Sequence, residues 1–300
     1  MLIILNLHGE RIMKNKIYPF YFVVGALLVY IILLIVPGVI GLGYAFTDWS
    51  SYGQQLHFVG LNNFKEIFFG HEHYLTFMSN TIIFTIISTA VKLVFSVICA
   101  LILNEGIRFR NFHRAVIFMP AILSMLITGL MFKSVLNPST GILDQFFRSV
   151  GLRALAQQWL VDPKYAFGSI VGVDSWKGVG YVMTIILAGL QSIPTEYYEA
   201  ANIDGASYLK KLRYITLPLC RPAIVITIVL GIFYGLKVFD IIYVLTNGGP
   251  GYATTVLNTS IYSLFGLGNW GLGSALNSLL FVFMIVVGIF TVKLLKPSEG

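Results

Sequence analysis

Charge is what this sequence has least of. Asp, Glu, Lys and Arg make up 11% of its 300 residues, less than half of the roughly 25% usual in soluble domains. That is too few polar groups to coat a globule, so lipid is the expected solvent for much of the surface. Cysteine is nearly absent: Cys99 and Cys220 stand far apart in or beside apolar stretches, which excludes a disulfide framework or a zinc spacing. No Gly-x-x-x-x-Gly-Lys-Ser/Thr phosphate loop occurs, so the chain has no ATP-hydrolysing site of that kind. His71-Glu72-His73 lacks the HExxH spacing of a metalloprotease and reads as a solvated loop. No Ser-His-Asp set or metal-ligand cluster stands out, which disfavours a membrane-bound enzyme.

What is abundant is apolar sequence, 57% of the chain. A helix needs about 20 apolar residues to span the hydrocarbon core, and six stretches qualify. They run from about Ile17 to Phe46, Thr81 to Leu103, Ala115 to Leu136, Phe167 to Leu190, Ala223 to Leu245 and Ser274 to Leu295. Pro37-Gly38 is a candidate kink in the first, and Pro120 lies near the start of the third. Residues 1–16 form a short N-terminal tail before a transmembrane domain over 17–300. Met1 to Leu7 is too short for a signal-peptide core. Met13-Lys14-Asn15-Lys16 looks like a more natural start, so residues 1–12 are either an upstream start or a short interfacial segment.

The net charge of +7 then becomes a statement about topology. With the N-terminus inside, the inner segments hold Arg11, Lys14, Lys16, Arg108, Arg110, Arg114, Lys210, Lys211, Arg213, Arg221, Lys293 and Lys296. The outer segments hold only Lys65, Arg148, Arg153 and Lys164. Twelve against four agrees with the positive-inside rule. Both termini are therefore expected in the cytoplasm, and the basic excess needs no nucleic-acid partner. The outer segments carry interface aromatics such as Trp49, Tyr52, Tyr74 and Trp159. They also hold the turn Asn247-Gly248-Gly249-Pro250-Gly251, followed by a Ser/Thr/Asn-rich stretch.

The segment between the fourth and fifth spans is the most informative. Ser192 is a candidate helix cap, Pro194 suits a first turn, and Glu196 complements the positive end of a helix dipole. Gly205 is suited to ending that helix in a left-handed conformation. A second short helix, Ser207 to Tyr214, should break before Pro218. A helical pair of small and charged residues on the cytoplasmic face suits docking to another protein.

At this point the chain resembles a known family. Glu199-Ala200-Ala201, three residues, Gly205, nine residues, then Ile215-x-Leu217-Pro218 is similar to the cytoplasmic loop motif of permease subunits of binding-protein-dependent ABC importers. Further stretches look like its carbohydrate branch: Asn80-Thr81, Phe112-x-Arg114 leading to Pro120, Trp176 to Gly180, Ala188 to Pro194 and Phe239 to Pro250. The resemblance implies an all-α fold of six transmembrane helices with a coupling-helix loop at about 191–221, as in type I importers. It implies that Glu199, Ala200, Ala201, Gly205, Ile215, Leu217 and Pro218 couple the chain to an ATPase. It also implies a bacterial cytoplasmic-membrane location and a sugar or oligosaccharide as cargo. The expected partners are a second permease, an ABC ATPase dimer that carries the ATP and Mg, an extracytoplasmic sugar-binding protein and membrane lipid. No cofactor is expected in this chain.

Three ionisable groups in the spans, Lys92, Lys237 and Asp240, are costly in lipid and should face protein or a water-filled cavity. Tyr234, Lys237 and Asp240 are expected on one helix face at three-residue spacing. With Lys92 they are the candidates for a translocation path, against the blander alternatives of a structural ion pair or snorkelling. Gly231-x-x-x-Gly235 and Gly168-x-x-x-Gly172 are candidates for close helix packing. The rival function is a stand-alone secondary transporter or channel driven by an ion gradient. That reading leaves the motif-bearing loop unexplained, and no inverted repeat is evident.

Overall fold

A computed structural model describes residues 21–295, apart from 54 and 71–72. The basic residues of the N-terminal tail, the first residues of the first run, His71, Glu72 and Lys296 lie outside the described residues. Within them the chain is helical, with one isolated bridge between Thr47 and Phe58.

Helix α1 comprises Tyr21–Tyr30 and Val36–Tyr44 joined by a π turn at Ile31–Ile35. After α2 (Asn62–Phe69) come α3 (Tyr74–Asn104), α4 (Arg110–Ile122), α5 (Met125–Val135) and α6 (Ile142–Ser149). Then follow α7 (Pro163–Gln191), α8 (Thr195–Ile203) and α9 (Tyr208–Leu219). The last four are α10 (Arg221–Leu236), α11 (Asp240–Leu245), α12 (Leu257–Gly266) and α13 (Trp270–Leu295). Four segments are long and apolar enough to cross a membrane unaided: Val23–Tyr44, Tyr74–Asn104, Pro163–Gln191 and Trp270–Thr291. Two bent pairs, α4 with α5 and α9 with α10, bring the total to six when each counts as one crossing. At about 1.5 Å per residue, the 31 residues of α3 span more than the roughly 30 Å hydrocarbon core.

The third and fifth runs both depart from the continuous spans expected of the sequence. The third run turns by 95° between α4 and α5. Pro120 stays inside α4, and the break comes later, at Leu123 and Ser124, which are both extended. A tertiary contact supports the corner: Lys177 Nζ donates to the Ala121 carbonyl at 3.2 Å, at an end where carbonyls lack helical partners. The fifth run ends at Leu236, crosses Lys237–Phe239 out of helix, and restarts as α11. There Val244 sits against Gly129 of α5, where any side chain would be 2.7 Å away. Helix α9 likewise continues through Pro218 to Leu219, and the chain turns by 62° after it.

The two prolines expected to disturb helices are handled alike. In each, a π turn ends two residues before the proline, Ile31–Ile35 before Val36-Pro37 and Leu212–Thr216 before Leu217-Pro218. The amides of Val36 and Leu217 reach back five residues, to Ile31 and Leu212. Widening the turn makes room for a ring that would otherwise strike the carbonyl four residues earlier.

Three clusters of buried side chains lie in order along α3. Tyr74 and Phe77 join Ala45, Leu257, Ile261 and Leu276 at its start. Phe84 joins Ile170, Val173 and Ile241 in the middle. Ala100 and Leu103 join Met183, Leu187 and Leu190 at its end. Lipid is as apolar as leucine, so these helices associate through close packing rather than water expulsion. Gly231 and Gly235 of α10 accordingly lie directly on Thr89 and Thr85 of α3. Gly168 and Gly172 meet nothing within 4 Å, so the second small-residue pair makes no such contact within this chain. Helix α12, which the polar sequence after Pro250 did not suggest, buries Leu257, Ile261 and Leu264 from one face. The apolar window of α1 is wholly unburied, whereas half of that of α7 is buried.

Candidate functional site

Two groups of residues are candidates, one at the α8–α9 loop and one among α3, α7 and α10. The loop is built by local chemistry. Ser192 closes α7 rather than opening α8: its hydroxyl donates to the Gly189 carbonyl at 2.8 Å. Pro194 is extended at the start of α8, with Glu196 in its first turn. At the far end Gly205 has φ 69°. The Ala206 amide donates to the Ala201 carbonyl at 2.8 Å and the Gly205 amide to that of Asn202 at 3.1 Å. This pairing is a Schellman motif, and it needs a left-handed residue at Gly205. Lys211 Nζ on Asn202 Oδ1, at 2.8 Å, and Tyr198 with Thr216, at 3.1 Å, clamp α9 to α8.

The clamp divides the motif residues by face. Glu196, Glu199, Ala200 and Ile203 recur at helical spacing and are all exposed. Ile203 is 88% exposed, an unusual state for an aliphatic residue held on a rigid helix. Leu209 beside it is 72% exposed. Ala201 is 8% exposed and faces its own chain, so its small size serves the clamp rather than an outward surface. Ile215 is half-buried, and Leu217 and Pro218 are exposed. Ile203 carried no signal beyond its place seven residues after Glu196.

The second group is assembled from distant parts of the sequence. Lys92 Nζ of α3 lies 2.5 Å from Asp174 Oδ2 of α7, with side-chain exposures of 9% and 1%. Ser88 Oγ donates to the same oxygen at 2.5 Å, and the Tyr234 hydroxyl of α10 to Oδ1 at 2.8 Å. The ammonium also stands 4.3 Å from the centre of the Tyr234 ring. Gly178 makes room for it, since a side chain there would meet the lysine stem at 2.8 Å. Beside this cluster is a cavity of about 290 Å³ lined by Lys92, Asp174, Lys177, Tyr181 and Tyr234.

Of the four expected path residues, the structure brings Lys92 and Tyr234 together. Lys237 and Asp240 do not share their face, because α10 ends at Leu236 and the helical register is lost before α11 begins. Lys237 instead lines an apolar groove with Phe233, Phe281, Gly288 and Lys293, and Asp240 is exposed. Asp174 was the residue missed. A lone carboxylate in the middle of a long apolar run was the available signal, and Lys92 needed exactly such a partner.

Residues 92–298 match the family described as the inner membrane component of binding-protein-dependent transport systems. A trehalose/maltose transport system permease protein of Thermococcus litoralis is 35% identical, over 93% of this chain and 93% of its own. A multiple sugar-binding transport system permease protein of Streptococcus mutans is 32% identical, over 96% and 99%. A probable ABC transporter permease protein of Bacillus subtilis is 31% identical, over 95% and 98%. In fold the chain is similar to a crystal structure of a bacterial ABC transporter involved in import of the acidic polysaccharide alginate. The TM-score there is 0.84, with 24% identity, over 98% of this chain and 100% of that one. The relatives align nearly end to end, and together with the family match they bear out the resemblance and the all-helical permease fold. This chain belongs to the family of inner membrane components of binding-protein-dependent transport systems.

Proposed function

We propose that this chain is a permease subunit of an ATP-driven importer that carries a sugar or oligosaccharide across the cytoplasmic membrane. The observation that carries the reading is the clamped α8–α9 pair, which presents Glu199, Ala200 and the 88% exposed Ile203 beyond the helix ends. A rigid helix that projects an aliphatic side chain is suited to a partner's groove, here that of an ATPase. In this reading ATP and Mg belong to the ATPase pair, whose closure pulls α8 and switches the cavity between inward and outward access. A second permease completes the path, and an extracytoplasmic binding protein delivers the sugar at the opposite face. The relatives named for trehalose/maltose and for multiple sugars support the cargo class. The distribution of basic residues supports cytoplasmic termini and a cytoplasmic α8–α9 loop. The cavity beside Lys92, Asp174 and Tyr234 is the proposed segment of the path, and neither Lys237 nor Asp240 is among its lining residues.

Uptake of radiolabelled sugars by proteoliposomes holding this chain with its partner subunits tests the reading. ATP-dependent accumulation of at least one di- or oligosaccharide is expected. Uptake that follows an ion gradient with no ATPase bound would reassign the chain to the secondary carriers.

A further inference from the structure

A separate cavity of about 820 Å³ lies between α12 and the turn after α11, with Tyr243, Tyr252, Tyr262, Asn247, Asn269 and Glu66 on its wall. Its size falls within the roughly 300–1,000 Å³ usual for small-molecule sites. The rings of Phe239, Tyr243 and Tyr262 form one group, with centroids 5.1–5.2 Å apart. Tyr243 stacks one face on Phe239, but it is 38% and Tyr262 54% exposed, so ring surface on both stays open. Two amides complete the chemistry. Asn247 holds a left-handed backbone, φ 50°, and neither its side chain nor that of Asn269 has a hydrogen-bond partner among the described residues.

The wall is pre-built. Asn80 Nδ2 donates to the Thr255 carbonyl at 2.9 Å, Thr81 Oγ1 accepts from the Leu257 amide at 3.0 Å, and Thr255 Oγ1 donates to the Gly248 carbonyl at 2.9 Å. A site whose backbone is already fixed loses little ordering entropy when a ligand enters. The charge of the wall then narrows the ligand. Among the described residues Glu66 is its one carboxylate, and no Lys, Arg or His lines it. Aromatic faces with phenolic tips, free amides and no cation suit a molecule with apolar C–H faces and a rim of hydroxyls, which is a neutral sugar ring.

We propose that this cavity is a second saccharide site, distinct from the cavity at Lys92 and Asp174, which holds a neutral sugar unit against Tyr243 and Tyr262 at the outer mouth. It rests on the sugar-importer reading above for its cargo and for which face is outside. The test uses the assembled importer in nanodiscs. Its probes are diazirine-bearing maltotriose, diazirine-bearing raffinose and a diazirine-bearing galacturonate trimer. Photolabel from at least one neutral probe is expected within residues 239–269, and the acidic trimer should leave that segment at background. Replacing both Tyr243 and Tyr262 by Leu keeps apolar bulk but removes the rings, and should cut the label about tenfold. Asn247→Gly removes an amide that has no side-chain partner and keeps the left-handed backbone, so it provides a second reading that leaves the wall intact, and should lower the label too.

No label on 239–269 from either neutral probe overturns the site. So does label that both variants leave unchanged, and equal label from the acidic trimer overturns the neutral class. Sugar uptake by the same wild-type preparation is measured in parallel. Loss of uptake strikes the importer reading, whereas uptake without outer label strikes this site alone.

Discussion

The α8–α9 loop and the Lys92–Asp174 cluster are opposites in how they are held. The loop is fixed by neighbours in sequence: a serine hydroxyl three residues from its acceptor, a left-handed glycine, and a lysine nine residues from its asparagine. The cluster joins residues 60 to 86 positions apart, on three helices, around one carboxylate almost without exposure. The difference teaches where damage should appear. A change on the outer face of α8 should spare the fold and sever an association. A change at Asp174 should damage the fold first.

The largest expected effect is therefore at the cluster. Asp174→Leu leaves the Lys92 ammonium buried without its counter-charge, which typically costs about 3–5 kcal/mol. Thermal unfolding of the detergent-purified chain should show a clear drop in Tm, with low yield. Pairing it with Lys92→Met should recover most of that Tm, because a buried ion pair replaced as a whole is often close to neutral. If the single and double variants melt alike, the pair is not what holds α3 to α7.

The loop should give the reverse pattern. Ile203→Asp places a charge where an aliphatic side chain is 88% exposed, so the Tm of the chain should be unchanged. Burial of such a side chain at an interface is worth about 1.5–3 kcal/mol, so recovery of the ATPase by co-purification should fall about tenfold or more. Undiminished recovery would remove α8 from the interface. Gly205→Val is expected to be intermediate, because a left-handed conformation costs a side chain about 1–2 kcal/mol and β-branching adds to it. It should lower both Tm and ATPase recovery by modest amounts.

The smallest effect belongs to a surface clip. Asp48 accepts from the His57 amide at 2.7 Å, and this hydrogen bond lowers its pKa below 3.8. A depressed carboxyl pKa means that the contribution is complete above the unfolded value and is lost as pH falls through the folded one. Hydrogen exchange at the His57 amide should thus show unchanged protection from pH 7 to 5 and lose it only below about pH 4.

The same contrast explains what could be read from the sequence. Caps, left-handed glycines and basic flanks act over a few residues, so the loop, six crossings and the family motif were legible. Asp174 was not, because its meaning depends on Lys92, Ser88 and Tyr234, which only the fold brings to it. The corners at Leu123–Ser124 and at Lys237–Phe239 were hidden for the same reason. Their supports, Lys177 on Ala121 and Val244 on Gly129, are tertiary contacts. Helix α12 escaped notice because its polar residues mask an apolar face that only the fold covers, with α3 and α13.

The corner at Cys220 has a mechanical consequence. Between α9 and α10 Cys220 is 1% exposed and its thiol reaches the Ile186 carbonyl of α7 at 3.8 Å, while a side chain at Gly189 would come within 3.2 Å of it. The wide turn and Pro218 interrupt regular helical pairing at the end of α9, and the chain then turns by 62° into α10. The corner rests on α7. Asp174 lies twelve residues further along the same stiff rod, about 18 Å away. One helix thus runs from the corner of the loop to the carboxylate at the centre of the buried cluster.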